Sequence, residues 1–325
     1  MNALNHSSIY VSYNKTESAR EESGSKERIL FEEFVLRYIN KPNRKKHYKE
    51  AHMNLLFHIN KFCEIKGLKK PFTNSIDMEF CEDYVDYLRT ANMMQNTIKG
   101  HLEKLSAMLH KAVLFGYPIN NTFEEVKVKE EEVNMVFFDR TELDRLYYFT
   151  DLTRFQQEVR DLFIIGCFTG LRYSDYSKLN ETNFIDNGNQ IRIKTRKTGA
   201  VVQIPTAKFV KEIIQKYGGM PRAHCVQYFN SAMKQICKKV GFNEPVLYER
   251  TVGNKIVRKT LEKWQLIGSH TARRSFATNA FMDDIPPYRI MMITGHKSES
   301  SFFRYVQITR EDNAISLSNH SFFRK

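Results

Sequence analysis

Three separated stretches of the sequence carry side chains that could open a phosphodiester bond. Arg172 ends a Thr-Gly-Leu-Arg run, His270 and Arg273 stand three residues apart, and Tyr305 follows His296 by nine positions. Guanidinium groups can bind the non-bridging oxygens of a phosphate, imidazoles can hold or move protons, and a phenol can attack phosphorus. These residue types together indicate phosphodiester cleavage through a phosphotyrosine, with no need of a metal ion or of water as the nucleophile.

Each member of this set has an ordinary structural explanation when it is taken alone. Arg172 could cap a helix or pair with Asp175, His-x-x-Arg triplets are common by chance, and the aromatic stretch around Tyr305 is typical of a core. His270 and Arg273, three residues apart at a predicted helix start, would face the same side. The order of all these residues within one basic chain favours the catalytic interpretation.

The charge balance indicates a polyanionic partner. The chain has 325 residues, with 50 Lys plus Arg against 37 Asp plus Glu and a formal net charge of +13. Nucleic acid is the commonest partner of such a chain. A ribosome-associated protein, or one that is simply basic, would show the same excess of positive charge.

Cysteine usage and hydropathy bear on the compartment. The five cysteines are odd in number and form no Cys-x-x-Cys pair, which favours a reducing cytosol over a disulfide scaffold or zinc ribbon. The first residues are polar, and no apolar stretch reaches the length needed to span a membrane. The sequence therefore predicts a cytoplasmic protein with no membrane partner.

Composition and periodicity divide the chain into two predicted domains. Residues 1–25 are polar and without a period, which is typical of disorder, whereas residues 26–120 show four apolar stripes at helical spacing. Residues 121–135 are acidic and lack this spacing, so we interpret them as a linker. Residues 136–310 form the second predicted domain and residues 311–325 a tail.

The second domain mixes helical and strand patterns. Residues 191–204 alternate and are interrupted by Thr198-Gly199, which predicts a β-hairpin, and residues 245–259 predict loop or short strand. Helices are predicted from Thr141 onward and over residues 208–217, 228–240, 272–282, 287–294 and 300–306. The fold class is therefore mainly α with a small β-sheet (α+β).

A dense basic run lies at the predicted start of the second helix of the first domain. It contains Arg44, Lys45, Lys46 and Lys49. Such a run is often only a solvated face, but in a chain of this net charge we favour contact with phosphate groups.

Taken in order, these segments resemble the tyrosine recombinase, or phage integrase, family. That family reads as Thr-Gly-Leu-Arg, a hairpin lysine, His-x-x-Arg-x-x-x-Ala, Gly-His and a tyrosine nine residues later, and this chain matches each part from Arg172 to Tyr305. The resemblance covers about residues 27–310 and implies a helical core-binding domain and a catalytic domain that clamp around DNA. The local sequence around His270 and Gly295 is most similar to that of integrases of Bacteroidetes mobile elements.

The resemblance also implies a role for each matching residue. Arg172 and Arg273 would bind the scissile phosphate, His270 and His296 would complete the pocket, and Tyr305 would be the nucleophile. Lys197 would be the hairpin lysine, since Lys-Thr-Gly sets it at the turn, although the nearby Lys194 and Arg196 leave that choice more open. Two features depart from the family. The family often has Asn-Pro after the helical domain, whereas this chain has Asn-Asn-Thr. Many of its members also carry an amino-terminal arm-binding domain, for which the first 25 residues are too short.

The function implied by the resemblance is site-specific recombination of double-stranded DNA. The enzyme would work through a 3′-phosphotyrosine without metal, ATP or other cofactor, as a homotetramer on two sites, with accessory DNA-bending proteins as further possible partners. Two alternatives are relaxation of DNA by chemistry similar to that of type IB topoisomerases, and DNA binding without catalysis. The second alternative would need no Tyr305.

Overall fold

The computed structural model describes residues 27–133 and 135–308, together with residues 314, 317, 318, 322 and 323. The described chain divides into two compact units. The first ends at Val133 and also includes Glu249–Arg258, and the second comprises the remaining described residues. The segment 1–25, predicted to be disordered, and most of the predicted tail 311–325 lie outside the described residues.

The first unit is built from four helices, as its four apolar stripes predict. Their bounds are α1 Phe31–Ile39, α2 Lys46–Lys66, α3 Met78–Thr90 and α4 Gln95–Leu114. Short 3-10 turns lie at Thr73–Ser75 and Asn121–Glu125. The apolar faces of all four helices form one buried cluster, so burial of these stripes stabilises the unit.

The second unit combines helices with a three-stranded antiparallel sheet and with the base of a two-stranded hairpin whose tip, Glu249–Arg258, belongs to the first unit. Its helices are α5 Arg140–Tyr148, α6 Arg154–Thr169, α7 Tyr173–Tyr176, α8 Lys208–Tyr217, α9 Val226–Val240, α10 Ser269–Met282, α11 Pro287–Thr294 and α12 Glu299–Phe303. One sheet has the order β1-β2-β3, formed by Phe184–Ile185, Gln190–Lys194 and Val201–Pro205, and the other pairs β4 Pro245–Val252 with β5 Lys255–Glu262. The mainly helical class with a small sheet is confirmed.

Close packing of α6 against α10 sets the frame of the second unit. A Cβ added at Gly166 would lie 2.7 Å from the Tyr176 ring and 3.0 Å from Ala272 Cβ, so only glycine fits there. Gly170 ends α6 with a φ of +64°, and a Cβ on it would lie 2.4 Å from the Phe276 ring. These two glycines allow the end of α6 to lie directly on the first turns of α10.

Several predicted boundaries differ from the structure for local reasons. Helix α5 begins at Arg140, because Asp139 is its N-cap and forms a capping box with Glu142. Of the loop or short strand predicted for residues 245–259, the structure has strands, which extend to Glu262. Helix α2 begins at Lys46, so part of the basic run precedes the helix.

The last helix ends before the nucleophile candidate. Helix α12 ends at Phe303 instead of reaching residue 306, and the Tyr305 N–H turns back to the Phe302 carbonyl at 2.8 Å. The Thr278 hydroxyl then donates to the Tyr305 carbonyl at 3.3 Å and accepts from the Gln307 N–H at 3.1 Å. Tyr305 therefore lies on a turn that is fixed to α10 rather than on a helix.

Candidate active site

Arg172 lies between two helices at the centre of the second unit. It follows the α6 cap at Gly170, has extended backbone geometry and immediately precedes α7. The side chain is half-buried, and its Nη1 is a buried donor with no hydrogen-bond partner among the described residues. No salt bridge joins Arg172 to Asp175 among the described residues, and one Asp175 oxygen accepts from the Arg196 N–H at 2.9 Å.

Arg273 is the most deeply buried cation of the site, with 1% of its surface exposed. Its Nη1 donates to the Gly170 carbonyl at 2.8 Å, and its Nη2 donates to the Thr294 carbonyl at 2.5 Å and to His296 Nε2 at 3.1 Å. Its Nε is buried with no partner among the described residues. Burial, followed by the positive charge of Arg172, lowers the pKa of Arg273 to about 10, so the side chain remains charged at neutral pH.

The hydrogen bonds of His296 define its protonation state. Because a guanidinium can only donate, Nε2 must accept from Arg273, and Nδ1 then carries the proton that is donated to Thr294 Oγ1 at 2.9 Å. The Thr294 hydroxyl in turn donates to the Ile290 carbonyl at 2.8 Å. Burial first, then the charges of Arg273 and Arg172, lowers the pKa of His296 to about 4, which agrees with a neutral ring.

His270 lies in the first turn of α10, on the accessible side of the site. The start of this helix is fixed by two bonds, from the Gly268 N–H to Thr271 Oγ1 at 3.1 Å and from the Ser269 N–H to Asn230 Oδ1 at 2.7 Å. The ring is exposed by surface area, yet the surrounding protein partly desolvates it and thereby lowers its pKa. The positive charges of four neighbours lower it further; in decreasing order these are Arg274, Arg273, Arg172 and Lys197.

Tyr305 completes a contact chain with the buried cation. Its ring lies 4.8 Å from the His296 ring, and the Arg273 guanidinium lies 5.4 Å from the Tyr305 ring centroid. The structure therefore brings Arg273, His296 and Tyr305 into direct contact. Arg172 and His270 lie within electrostatic range of this group, because Arg172 lowers the pKa of Arg273 and Arg273 lowers the pKa of His270.

Lys197 lies in the turn between β2 and β3. Lys194 is the last residue of β2 and pairs with Val201 in the sheet, whereas Lys197 is exposed in the turn. The Lys197 charge contributes to the lowered pKa of His270, so the turn lies within electrostatic reach of the site. Both lysines are exposed, and Lys197 is the one that lies in the turn.

Three supporting residues were not found from the sequence. Asp175 is 1% exposed and anchors the lysine turn through Arg196, and Thr294 orients His296. Arg274 is buried, donates to the Val136 carbonyl at 2.6 Å and fixes α10 to the preceding segment. The sequence places Asp175 only three residues after Arg172, which suggests a place near the site. Its actual partner, Arg196, could not be predicted, because the two residues are 21 positions apart in the chain.

The basic run of the first unit contains one residue that differs from the others. The Arg44 guanidinium lies 4.4 Å from the Tyr38 ring centroid and 5.6 Å from that of Tyr48, and its Nε is buried with no partner among the described residues. Lys45 and Lys46 are exposed and Lys49 is half-buried. Aromatic faces thus fix Arg44, whereas the exposed lysines form a solvated face.

The described residues form neither a site of three or more metal ligands nor a membrane-spanning helix. No group of three or more His, Cys, Asp or Glu side chains is arranged to hold a metal ion in this part of the chain. None of the helices described here combines the length and the hydropathy required to cross a bilayer.

The geometry can be compared with known proteins. The family model of the phage integrase SAM-like domain matches residues 30–129, and that of the phage integrase family matches residues 137–312. No curated protein sequence matches the chain.

Solved structures share the fold at low sequence identity. The Tn1549 transposon integrase in complex with circular intermediate DNA is 14% identical, with a TM-score of 0.63 over 89% of this chain and 99% of that one. A lambda integrase dimer bound to a COC′ core site is also 14% identical, with a TM-score of 0.63 over 86% and 95% of the two chains. A lambda integrase tetramer bound to a Holliday junction is 15% identical, with a TM-score of 0.60 over 92% and 90%.

Proposed function

We propose that Tyr305 is the nucleophile of this chain, which belongs to the phage integrase family and is a site-specific tyrosine recombinase. One observation carries the proposal. Arg172 Nη1 and Arg273 Nε are buried donors without partners among the described residues, and the charge of Arg172 lowers the pKa of Arg273. The buried Asp175 carboxylate offsets part of this repulsion at Arg273, but the two unpaired donors remain available to an anionic ligand.

A scissile phosphate supplies that anion in the proposed mechanism. Its non-bridging oxygens accept from Arg172 and Arg273, and the bonds strengthen as charge grows on these oxygens in the transition state. His296 acts on the phosphate through Arg273, because its Nε2 accepts from that guanidinium at 3.1 Å. The contact of the Tyr305 ring with the same guanidinium supports a nucleophile close to phosphorus.

The covalent step then balances without a cofactor. The Tyr305 phenol oxygen attacks phosphorus in line, its proton passes to His270, the bond to the 5′ oxygen breaks, and that oxygen takes a proton from Lys197. The products are a 3′-phosphotyrosine and a free 5′-hydroxyl. Attack by the 5′-hydroxyl of a second duplex reverses the step and joins the strands in exchanged order.

The protonation state of His270 supports its role as the proton acceptor. A general base must be neutral before it takes a proton, and the lowered pKa keeps this ring neutral at pH 7. Burial and four cations lower this pKa, and two of those cations, Arg273 and Arg172, are the groups that a bound phosphate neutralises in this mechanism. Phosphate binding therefore raises the affinity of His270 for the phenolic proton where that proton has to be accepted.

We further propose the partners of the reaction. Double-stranded DNA is the substrate, and Arg44, Lys45, Lys46 and Lys49 contact its backbone phosphates, with Arg44 the strongest contributor because aromatic rings hold it. Exchange between two duplexes needs four cleavages, so the active unit is a homotetramer, and a similar fold occurs in a lambda integrase tetramer bound to a Holliday junction. The similar fold of the Tn1549 transposon integrase supports a role in a mobile element. The proposal also includes action in the cytoplasm and accessory DNA-bending proteins.

Replacement of the proposed nucleophile tests the assignment. A nicked suicide substrate should trap the wild-type protein as an SDS-resistant adduct, including in excess EDTA, because side chains supply the positive charge. Tyr305→Phe should bind the same DNA with unchanged affinity and form no adduct. Tyr228→Phe removes the hydroxyl of another second-unit tyrosine, which is 59% exposed, and should react like wild type. An adduct with Tyr305→Phe would refute the proposal.

A further inference from the structure

The turn that carries Lys197 contains an unusual buried hydroxyl. The turn between β2 and β3 consists of residues 195–200, and four consecutive residues of it, 196–199, are exposed. Thr195, at the base of the turn, is only 3% exposed. Threonine is common in strands, but a buried hydroxyl needs partners, and those partners lie within the turn itself.

Thr195 binds the turn from several sides. Its N–H donates to the Ala200 carbonyl at 2.8 Å, and its own carbonyl accepts from the Gly199 N–H at 2.9 Å. Its hydroxyl lies 2.7 Å from Thr198 Oγ1 and 3.1 Å from the Ala200 carbonyl oxygen. The bond from Gly199 closes a loop of five residues that has Lys197 at its centre, and Gly199 accommodates it with a φ of +71°.

The hydroxyl pair spans the proposed proton donor. Thr195 precedes Lys197 by two residues and Thr198 follows it directly, so the 2.7 Å contact between their hydroxyls crosses the Lys197 backbone. On the other side, the Arg196 N–H is held by Asp175 at 2.9 Å. The Lys197 backbone is thus fixed by neighbours on both sides, while its side chain remains exposed.

We propose that Thr195 is a positioning residue for the leaving-group proton: its hydroxyl, bound to Thr198, fixes the turn so that Lys197 reaches the departing 5′ oxygen. The proposal rests on the function proposed above for Lys197. It predicts a specific defect, because a misplaced proton donor slows only the step that needs its proton. Phosphate binding and attack by Tyr305 do not depend on the Thr195 hydroxyl.

Two substitutions separate this role from a purely structural one. Thr195→Val keeps the branched shape of the side chain and removes only the hydroxyl, whereas Thr195→Ser keeps the hydroxyl and removes a methyl group. If packing of the buried methyl matters most, the serine variant is the more defective. If the hydroxyl matters, the valine variant is defective and the serine variant is close to wild type.

The assay compares two suicide substrates, one with the natural 5′ oxygen and one with a bridging sulfur at that position. A thiolate leaves without a proton, so the sulfur substrate bypasses the proton donor. With the oxygen substrate we expect Thr195→Val to cleave about 10- to 100-fold more slowly than wild type, and Lys197→Ala at least as slowly. With the sulfur substrate both should cleave within about threefold of wild type, and the double variant should match Lys197→Ala on both substrates.

The outcomes separate the positioning role of Thr195 from the role of Lys197 as proton donor. Equal slowing of Thr195→Val on both substrates, or an unchanged rate on oxygen, overturns the positioning role while leaving Lys197 as the donor. Failure of sulfur to rescue Lys197→Ala overturns the proposed donor and, with it, the positioning role. Melting temperatures of the variants identify loss of folding, and Thr195→Ser, which retains the bond to Thr198, should stay within about threefold of wild type on both substrates.

Discussion

Lysine substitutions at the two site arginines should have different effects on stability but similar effects on cleavage. Arg273 makes three hydrogen bonds with protein groups, to the carbonyls of Gly170 and Thr294 and to His296 Nε2. Arg172 Nη1 has no partner in the described part of the chain. Arg273→Lys therefore removes bonds that hold the fold, whereas Arg172→Lys removes a donor that the free protein does not use.

The magnitude follows from the bonds that a lysine cannot replace. A single ammonium group cannot reproduce the fork that reaches Gly170 and Thr294, and a buried carbonyl left unpaired costs about 1–3 kcal/mol. A loss of about 2 kcal/mol lowers the melting temperature of a unit of this size by about 4–8 °C. Arg172→Lys should change the melting temperature by no more than about 2 °C. For cleavage, each variant loses a charge-assisted bond worth about 1.5–3 kcal/mol, which corresponds to about 10- to 100-fold in rate.

Calorimetry and suicide-substrate cleavage measure the two effects on the same preparations. Gel shifts on intact sites show whether DNA binding persists, so that slow cleavage is not mistaken for weak binding. Equal loss of melting temperature in the two variants would refute the inference that the Arg172 donor is unpaired in the free protein. Cleavage by Arg273→Lys at the wild-type rate would refute its contact with the scissile phosphate.

Two further predictions concern pH. The pKa of His270 is lowered from its ordinary value near 6.5, and cleavage at limiting DNA reports the free protein. The acid limb of the cleavage rate should therefore have its midpoint below about 6.5, and His270→Gln should be slow and lose this limb. A wild-type midpoint above about 6.5 would contradict the role. In the first unit, burial and then the charges of Lys104 and His58 lower the pKa of His101 to about 4, whereas the unfolded ring titrates near 6.5. The unfolded chain therefore binds more protons between these two pH values, so up to about 3 kcal/mol of the free energy of unfolding should be lost as pH falls from about 6.5 to about 4. The loss should appear as lower hydrogen-exchange protection in α4, after correction for intrinsic exchange rates. Protection that does not change with pH would contradict this prediction.

The sequence was sufficient for most elements because apolar periodicity and breaking residues are local signals. Helices α8 and α11 begin and end where these signals predict, since Gly218 and Gly295 cap them in the left-handed region. The β2–β3 hairpin was found from alternation around Thr198-Gly199. The end of α12 was missed, because it depends on the Thr278 hydroxyl, which comes from another helix.

The site divides in the same way between local and tertiary information. Residue types and spacing pointed to Arg273, His296 and Tyr305, and the structure brings these three into contact. Which donors of a guanidinium remain unpaired is not readable from sequence, because Gly170 and Thr294 lie 103 and 21 residues from Arg273. The protonation state of His296 likewise depends on its hydrogen bond with Arg273, which forms only in the folded protein.

The two halves of the site are anchored by different contacts, and this suits a reaction that must run forward and backward. Arg273 is buried on α10, and its donors are fixed by backbone carbonyls of α6 and α11, so the phosphate pocket is part of the core. Tyr305 lies on a turn beyond α12 that is attached to α10 by hydrogen bonds of the Thr278 hydroxyl and by packing of Tyr305 and Val306 against a small buried cluster. A fixed pocket keeps stabilising the phosphate while the tyrosine is bonded to it and after the strand is exchanged. The proposed donors to the phosphate, Arg172 and Arg273, lie outside the tyrosine turn, so a shift of that turn removes no donor from the pocket.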